Sequence, residues 1–317
     1  PAYRLPTMNI LFATDGSEYS DFALDFLVRF PFPTDSTMTV LTVVDDIPML
    51  PAELDALDEM QSEALKAAYK NLQADAKELV DSESARLLAD GWQTETIVRT
   101  GKPVDQILRA AEEIDADLIV LGSHGMSRAQ RFMLGSVSDR VLEYASCSVV
   151  IVKNRQGEAI PESIEPGTNA AYRIMLAYDV SDVSSEALKV CASFPLEEHS
   201  QIKVVNVMPL ITAYRQDVRQ HINTIWMQKK IIMQAELDKA VKSQQWATPD
   251  VTTQLREATN VSAEILSAAE ETGSDLIMVG CKDKSPLQRF LLGSITHRMA
   301  RYAESTVWAV RKKTGTA

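Results

Sequence analysis

The chain has 317 residues, 45% hydrophobic and 24% charged, with a formal net charge of −12. Its length exceeds what one core usually organises, so two globular domains are expected. The acidic balance argues against nucleic acid as a partner, which calls for a basic patch that only Lys312-Lys313 begins to offer. No apolar run is long enough to cross a membrane, and Pro1–Leu11 does not read as a signal peptide, so no membrane partner and a cytoplasmic location are expected.

In chain order, Met8–Ala13 is an apolar strand ending at Thr14-Asp15-Gly16-Ser17. Tyr19–Phe30 then places Phe22, Ala23, Phe26, Leu27 and Phe30 on one helical face, and Pro31 and Pro33 stop it. Met38–Val44 reads as a second buried strand, followed by a polar loop marked by Pro48 and Pro51. Ala52–Ala89 is helical and strongly charged and reads as one long helix, with Asp81-Ser82 as its one candidate break. Thr94–Val98 alternates like a strand, and Pro103 introduces the helix Val104–Ile114. Leu118-Ile119-Val120-Leu121 has the composition of a buried parallel strand, and Ser148–Val152 closes this half.

Residues 155–171 are polar and carry prolines and glycines, the composition of a linker. The pattern then repeats. Arg173–Tyr178 with Asp179 answers the first strand with Asp15, and Ser184–Phe194 answers the first helix. Gln201–Val207, the long helix Ile211–Gln245, Asp250–Arg256, Val261–Thr272 and Ser274–Gly280 follow in the same order. Ser285–Ser294 reproduces Ser127–Ser136 almost residue for residue, so one unit is written twice. Two domains are expected, at 1–154 and 172–317. Alternating strands and helices with near-continuous apolar strands indicate a parallel sheet covered on both faces.

The chemistry concentrates between Asp117 and Val152. After the strand come Gly122 and Gly125, then Gly135-Ser136 where a helix begins, a spacing of Gly-x2-Gly-x9-Gly-Ser. Glycines let a ligand approach the main chain, and the first N–H groups of a helix, with the positive end of its dipole, suit an anion. Ser136 with Asp139 also reads as a capping box that needs no ligand, and the two leading glycines also suit a plain tight turn.

Val120–Met126 and Leu134–Ser138, at this spacing, resemble the ATP-binding signature of the universal stress protein family, and the likeness covers essentially the whole chain as two fused domains. It implies an α/β fold of two tandem Rossmann-like (HUP-type) domains, each a five-stranded parallel sheet core with helices on both faces. It also implies ATP as the ligand of the first domain, with Mg2+ as an optional companion. By this resemblance Asp15 sits beside adenine and ribose with the backbone of Ala13 and Thr14, although Asp15-Gly16-Ser17 also reads as an Asx turn or cap. Val43 matches the valine whose backbone recognises the adenine edge. The other nucleotide-binding residues the resemblance implies are Leu121, Gly122, His124, Gly125, Gly135, Ser136 and Val137. His124 acts there through its backbone N–H, its side chain being expected as an exposed loop histidine. Arg128 and Arg131 read either as phosphate partners or as solvated arginines.

The second copy keeps Gly280 and Gly293-Ser294 but has Asp283 at the position of Gly125, Val180 at that of Gly16 and His297 at that of Asp139. A carboxylate facing phosphate at ~4 Å costs on the order of 4 kcal/mol at an effective dielectric of about 20, roughly a thousandfold in affinity. The second domain is therefore expected to bind ATP poorly and to serve packing or regulation, with a nucleotide lacking the terminal phosphates as the remaining option. The last strands of the two halves are expected to pair with each other, covering an aggregation-prone edge, with a homodimer of whole chains as a further option.

No catalytic residues emerge. There is no Gly-x4-Gly-Lys-Ser/Thr loop, no Gly-x-Gly-x-x-Gly after a strand and no assignable triad. Cys147, Cys191 and Cys281 lack metal or redox spacing and read as buried free thiols, and the four histidines are too scattered for a metal site. The expected function is an ATP-binding stress-response regulator and not a catalyst. The competing readings are a slow ATPase or self-phosphorylating enzyme, and a nucleotide-free scaffold.

Overall fold

Ten strands of the computed structural model form one sheet in the order β3-β2-β1-β4-β5-β10-β9-β6-β7-β8. Residues 7–33, 35–46, 59–125, 134–154, 171–210, 216–248, 250–281 and 294–312 are described. The front half contributes β1 (Asn9–Ala13), α1 (Glu18–Arg29), β2 (Thr37–Val44), α2 (Glu59–Ala89), β3 (Gln93–Thr100), α3 (Pro103–Glu113), β4 (Leu118–Gly122), α4 (Ser136–Tyr144) and β5 (Ser148–Val152). The rear half repeats this as β6 (Arg173–Ala177), α5 (Asp182–Ser193), β7 (Gln201–Pro209), α6 (Gln216–Lys242), β8 (Val251–Ala258), α7 (Val261–Glu271), β9 (Leu276–Gly280), α8 (Ser294–Tyr302) and β10 (Thr306–Val310).

Within each half the strand pairs are parallel, so the expected five-stranded parallel cores are present. The halves join where β5 meets β10 antiparallel, with Trp308 opposite Val150 at the centre of the register. Each of these two strands is buried along its whole length, as their sequences, apolar after Ser148 and Thr306, require.

The two sheet faces are packed differently. On one, α1, α2, α5 and α6 cover a single hydrophobic cluster that runs across both halves. Its middle is aromatic: the Phe30 and Phe194 rings, equivalent in the two repeats, lie 4.8 Å apart edge to face, and both contact Trp308. On the other face, α3 and α4 cover one cluster and α7 with Met299 of α8 a separate one.

Paired interactions mark the seam between the repeats. Lys153, after β5, donates to the Ala303 carbonyl at the end of α8, and Arg311, after β10, donates to the Leu142 carbonyl near the end of α4 at 2.6 Å. Each cation thus meets the negative end of a helix in the other repeat. Burial pushes the Lys153 ammonium down to about 8, against the upward pull of Glu304.

The long helix expected from the sequence is continuous over its described part, and α2 runs through the candidate break at Asp81-Ser82. Val80, Glu83, Ser84 and Leu87 form a buried stripe at helical spacing, Ser84 meets Thr94 of β3 at 2.5 Å, and Lys77 pairs with Asp81 one turn on. Packing on the sheet outweighs the weak helix preference of an Asp-Ser pair. Residues 51–58 and 211–215, at the expected starts of the two long helices, and residues 155–170 of the expected linker lie outside the described residues. All three cysteines are buried and none is in a disulfide; Cys191, on α5, has its thiol pushed up to about 12 by burial.

Candidate functional site

Strand order reverses direction between β1 and β4, and open α/β sheets bind ligands at the carboxyl ends of strands beside such a reversal. A cavity of about 320 Å³ lies there. Ala13, Thr14 and Asp15 line it from the end of β1, Val43 from β2, and Leu121, Gly122, His124 and Gly125 from β4 and the turn after it. Gly135, Ser136 and Val137 line it from the start of α4. The residues that the resemblance implied for the nucleotide, from Ala13 to Val137, are thereby brought to one cavity.

Local sequence explains how each wall is held. Thr14 Oγ1 accepts from the Gly16 N–H at 3.3 Å and Asp15 Oδ1 accepts from the Ser17 N–H at 3.1 Å, so the Asx turn is real. Gly16 takes φ +72° to complete it, and Ser17 then caps α1 by accepting from the Ser20 N–H. The other carboxylate oxygen of Asp15 points across the cavity, where a Cβ on Gly125 would stand 2.5 Å from it. Turn former and cavity wall are the same residue.

Gly122 serves a different purpose. A Cβ there would lie 2.6 Å from the Tyr19 carbonyl oxygen, so its missing side chain lets α1 cross β4. Gly280 does the same for α5, with Val183 backbone atoms 2.5 Å away. Ser138 Oγ donates to the Gly122 carbonyl at 2.7 Å and fixes the start of α4 on the strand.

The capping-box expectation fails. Gly135 is the N-cap of α4, no side chain among the described residues caps this helix, and Ser136 is its first residue. Asp139 turns away from the helix start, its Oδ1 lying 2.9 Å from His297 Nε2 of the rear half. The Gly135 N–H is already used, donating to the Ser123 carbonyl at 2.8 Å. The amides that α4 presents to an anion therefore start at Ser136.

His124 also departs from expectation. It is half-buried, its Nδ1 lies 3.1 Å from Ser123 Oγ, and its ring packs on Tyr19 with centroids 4.9 Å apart. This tilted ring contact ties the turn that presents Gly125 to α1. Arg128 and Arg131 lie outside the described residues.

Sequence reasoning missed Ser20, Leu41, Asp45, Pro103, Ile107 and Ser138, which complete the lining. A signal existed for four of them. Leu41 and Asp45 flank Val43 at the two-residue period of a strand face, and Pro103 and Ile107 share one helical face at i, i+4. Among the described residues no group of three or more His, Cys, Asp or Glu is arranged to hold a metal ion, and no helix is long and apolar enough to cross a membrane.

The rear half holds a smaller cavity, about 240 Å³, at the equivalent strand ends. Its turn carries Val180 at φ +65°, the left-handed conformation that Gly16 adopts without strain. Asp283 and Gly293 lie outside the described residues.

The family model described as universal stress protein family matches the chain twice, over residues 6–153 and 171–311. The universal stress protein YxiE of Bacillus subtilis (strain 168) is 29% identical over 144 residues, covering 45% of this chain and 97% of that protein. A putative universal stress protein of Staphylococcus aureus (strain USA300) is 29% identical over 159 residues, covering 50% of this chain and 89% of that one. The crystal structure of a universal stress protein from Archaeoglobus fulgidus DSM 4304 aligns over 96% of this chain and 97% of that one, with a TM-score of 0.61 and 19% identity. At that identity the likeness is one of fold, and it spans both repeats.

Proposed function

The chain belongs to the universal stress protein family, and from that footing we propose that it is a stress-response protein whose front cavity binds ATP and whose nucleotide state alters its contacts with partners. The observation that carries this reading is the convergence of Asp15, Val43, Gly125 and the uncapped start of α4 on one 320 Å³ cavity, within the usual size range of ligand sites. In this reading the base and ribose lie toward Val43 and Asp15. The phosphates lie against Gly125 and the first free amides of α4, where the helix dipole favours negative charge. Mg2+ accompanies the nucleotide as the counter-ion of its phosphates.

The residues support binding over turnover, since the sequence carries no phosphate-loop lysine motif. The rear half, with Asp283 at the position of Gly125 in the sequence, binds ATP weakly in this reading. Titration calorimetry with ATP on the full chain tests it. One site per chain is expected, lost in Gly125→Asp and joined by a second in Asp283→Gly. Two equal sites in the unaltered chain, or no heat and no melting shift with ATP, would overturn it.

A further inference from the structure

The outward face of α6 holds large apolar side chains in solvent: Ile225, Met227, Ile231 and Ile232 are between 62 and 71% exposed. The fold does not ask for them there. The helix grips the sheet by its opposite side, where Trp226, Leu237 and Val241 are buried. The front repeat provides the comparison. Gln234 donates to Asp238 and Thr253 as Lys77 donates to Asp81 and Thr96, which sets α6 and α2 in register. In that register the four positions are Ala68, Lys70, Ala74 and Asp75 of α2, all exposed as well. The same helix, in the same place on the same fold, thus stands without a large apolar group at any of them. Apolar surface gathered on one exposed face marks a contact with something else.

Met227 and Ile231, one turn apart, line one side of the strip, and Ile225 and Ile232, two turns apart, line the other. Both pairs are centred on the turn at Gln228-Lys229. A second α6 laid antiparallel over that turn by a two-fold axis therefore meets the strip with itself, apolar against apolar. The charges alongside are answered within the chain. Glu257 accepts from the Trp226 indole N–H at 2.8 Å and pairs with Lys230, Glu236 pairs with Lys239 at 3.9 Å, and the Lys229 ammonium stands 5.4 Å from the centre of the Trp226 ring. An acidic peptide or an anionic lipid surface would compete with these contacts, and the lipid would also face a chain of net charge −12. A second copy of the strip disturbs none of them. Strand pairing of the kind that joins the repeats is already used up, because β5 and β10 cover each other inside the chain. A standard interface takes about 800 Å² from each partner, and a strip on part of one helix is smaller, so the contact is a reversible one.

We propose that the outward face of α6 is a homodimer contact, in which two chains pack their α6 helices antiparallel across a two-fold axis at Gln228-Lys229. The inference is independent of the nucleotide reading.

Sedimentation velocity on the full chain, over a concentration series up to about 200 µM, tests it. A monomer–dimer equilibrium with a dissociation constant on the order of 10–100 µM is expected, as for small interfaces. It should tighten with added salt, which screens the repulsion between two acidic chains. The full chain with Ile231→Ala and Ile232→Asp, the residues of the front helix, should keep the parent's urea midpoint and dimerise roughly tenfold more weakly or worse. Gln228→Cys, near the axis, should form an interchain disulfide on mild oxidation, and Asn71→Cys, at the same position of α2, should not. Should the paired variant fail to fold, the two cysteine variants still decide the matter. A chain monomeric throughout the series, a dimer unchanged by the paired substitution, or Gln228→Cys linking no faster than Asn71→Cys would overturn the proposal. So would a monomeric chain that floats with phosphatidylserine–phosphatidylcholine vesicles and loses them in the paired variant, which would give this face to a lipid surface.

Discussion

His297 Nε2 lies 2.9 Å from Asp139 Oδ1, and the two residues hold the same position in the two repeats. Each stands one turn into the helix that opens at its own cavity, Asp139 after Ser136 and His297 after Ser294. The contact bridges the first turns of α4 and α8 across the seam, and it accounts for the change from aspartate to histidine between the copies. Two aspartates at this spacing would repel.

A double-mutant cycle tests that account. Asp139→Asn and His297→Gln are expected to cost less together than the sum of their separate effects, with a coupling of about 0.5–1 kcal/mol, as for part-exposed pairs. Urea unfolding of the four chains gives the number. Strict additivity would mean the two side chains are neighbours without interacting.

Glu83 predicts a pH dependence. Its carboxyl is buried between α1 and α2, and burial pushes it from the ordinary 4.5 up to about 7, with Arg86 pulling it down and Asp21 pushing it further up. The native chain therefore holds a proton that the unfolded chain releases between pH 4.5 and 7. Stability falls as pH rises through that window and stays low above it, by on the order of 3 kcal/mol. Glu83→Gln should be more stable than the parent by up to that amount at pH 8, with the gain fading by pH 5. An equal gain at both pH values in urea melts would show that charge is not the cause.

Most of the architecture was legible because period and repeat agree. Apolar runs such as Leu118–Leu121 and Ser148–Val152 have one stable placement, and the second copy checks each assignment in the first. What escaped depended on partners distant in sequence. The one long helix was legible, but the choice between a straight run and a break at Asp81-Ser82 is decided by Ser84 meeting Thr94 and by the stripe from Val80 to Leu87 on the sheet. The packing of His124 on Tyr19 and the pairing of Asp139 with His297 are likewise tertiary. The site was found through its glycine spacing, and the residues missed are ordinary strand and helix positions that only the folded sheet end brings to the same cavity.

Two of the signature glycines should respond differently to the same substitution. A Cβ at Gly122 would press on the Tyr19 backbone at 2.6 Å, and backbone cannot step aside cheaply. Gly122→Ala is expected to lose about 1–3 kcal/mol of stability. At Gly125 the obstacle is the end of the Asp15 side chain at 2.5 Å, which can swing away. Gly125→Ala should change stability by less than about 0.5 kcal/mol while weakening ATP binding several-fold, because Asp15 is displaced from the cavity. Denaturation and calorimetry on the same two variants separate the roles. Equal stability losses would mean that Gly125 too is needed for packing.

Val180 is the converse case. It holds φ +65°, where a β-branched residue crowds its own carbonyl, because the turn before α5 copies the turn that Gly16 makes at φ +72° before α1. The turn is kept in place regardless by Asp179 Oδ1 accepting from the Ser181 N–H and by Ser181 capping α5. The Val180 side chain is 40% exposed, so its removal forfeits little burial. Relief of about 1–2 kcal/mol of left-handed strain is offset by the roughly 0.5–1 kcal/mol that glycine costs in chain entropy. Val180→Gly should therefore stabilise the chain by on the order of 0.5–1 kcal/mol, read as a rise in the urea midpoint at unchanged slope. Gly16→Val should do the opposite and by more, since its new Cβ would also stand 3.3 Å from Leu79. A Val180→Gly chain less stable than the parent would mean that the valine side chain contributes packing that outweighs its strain.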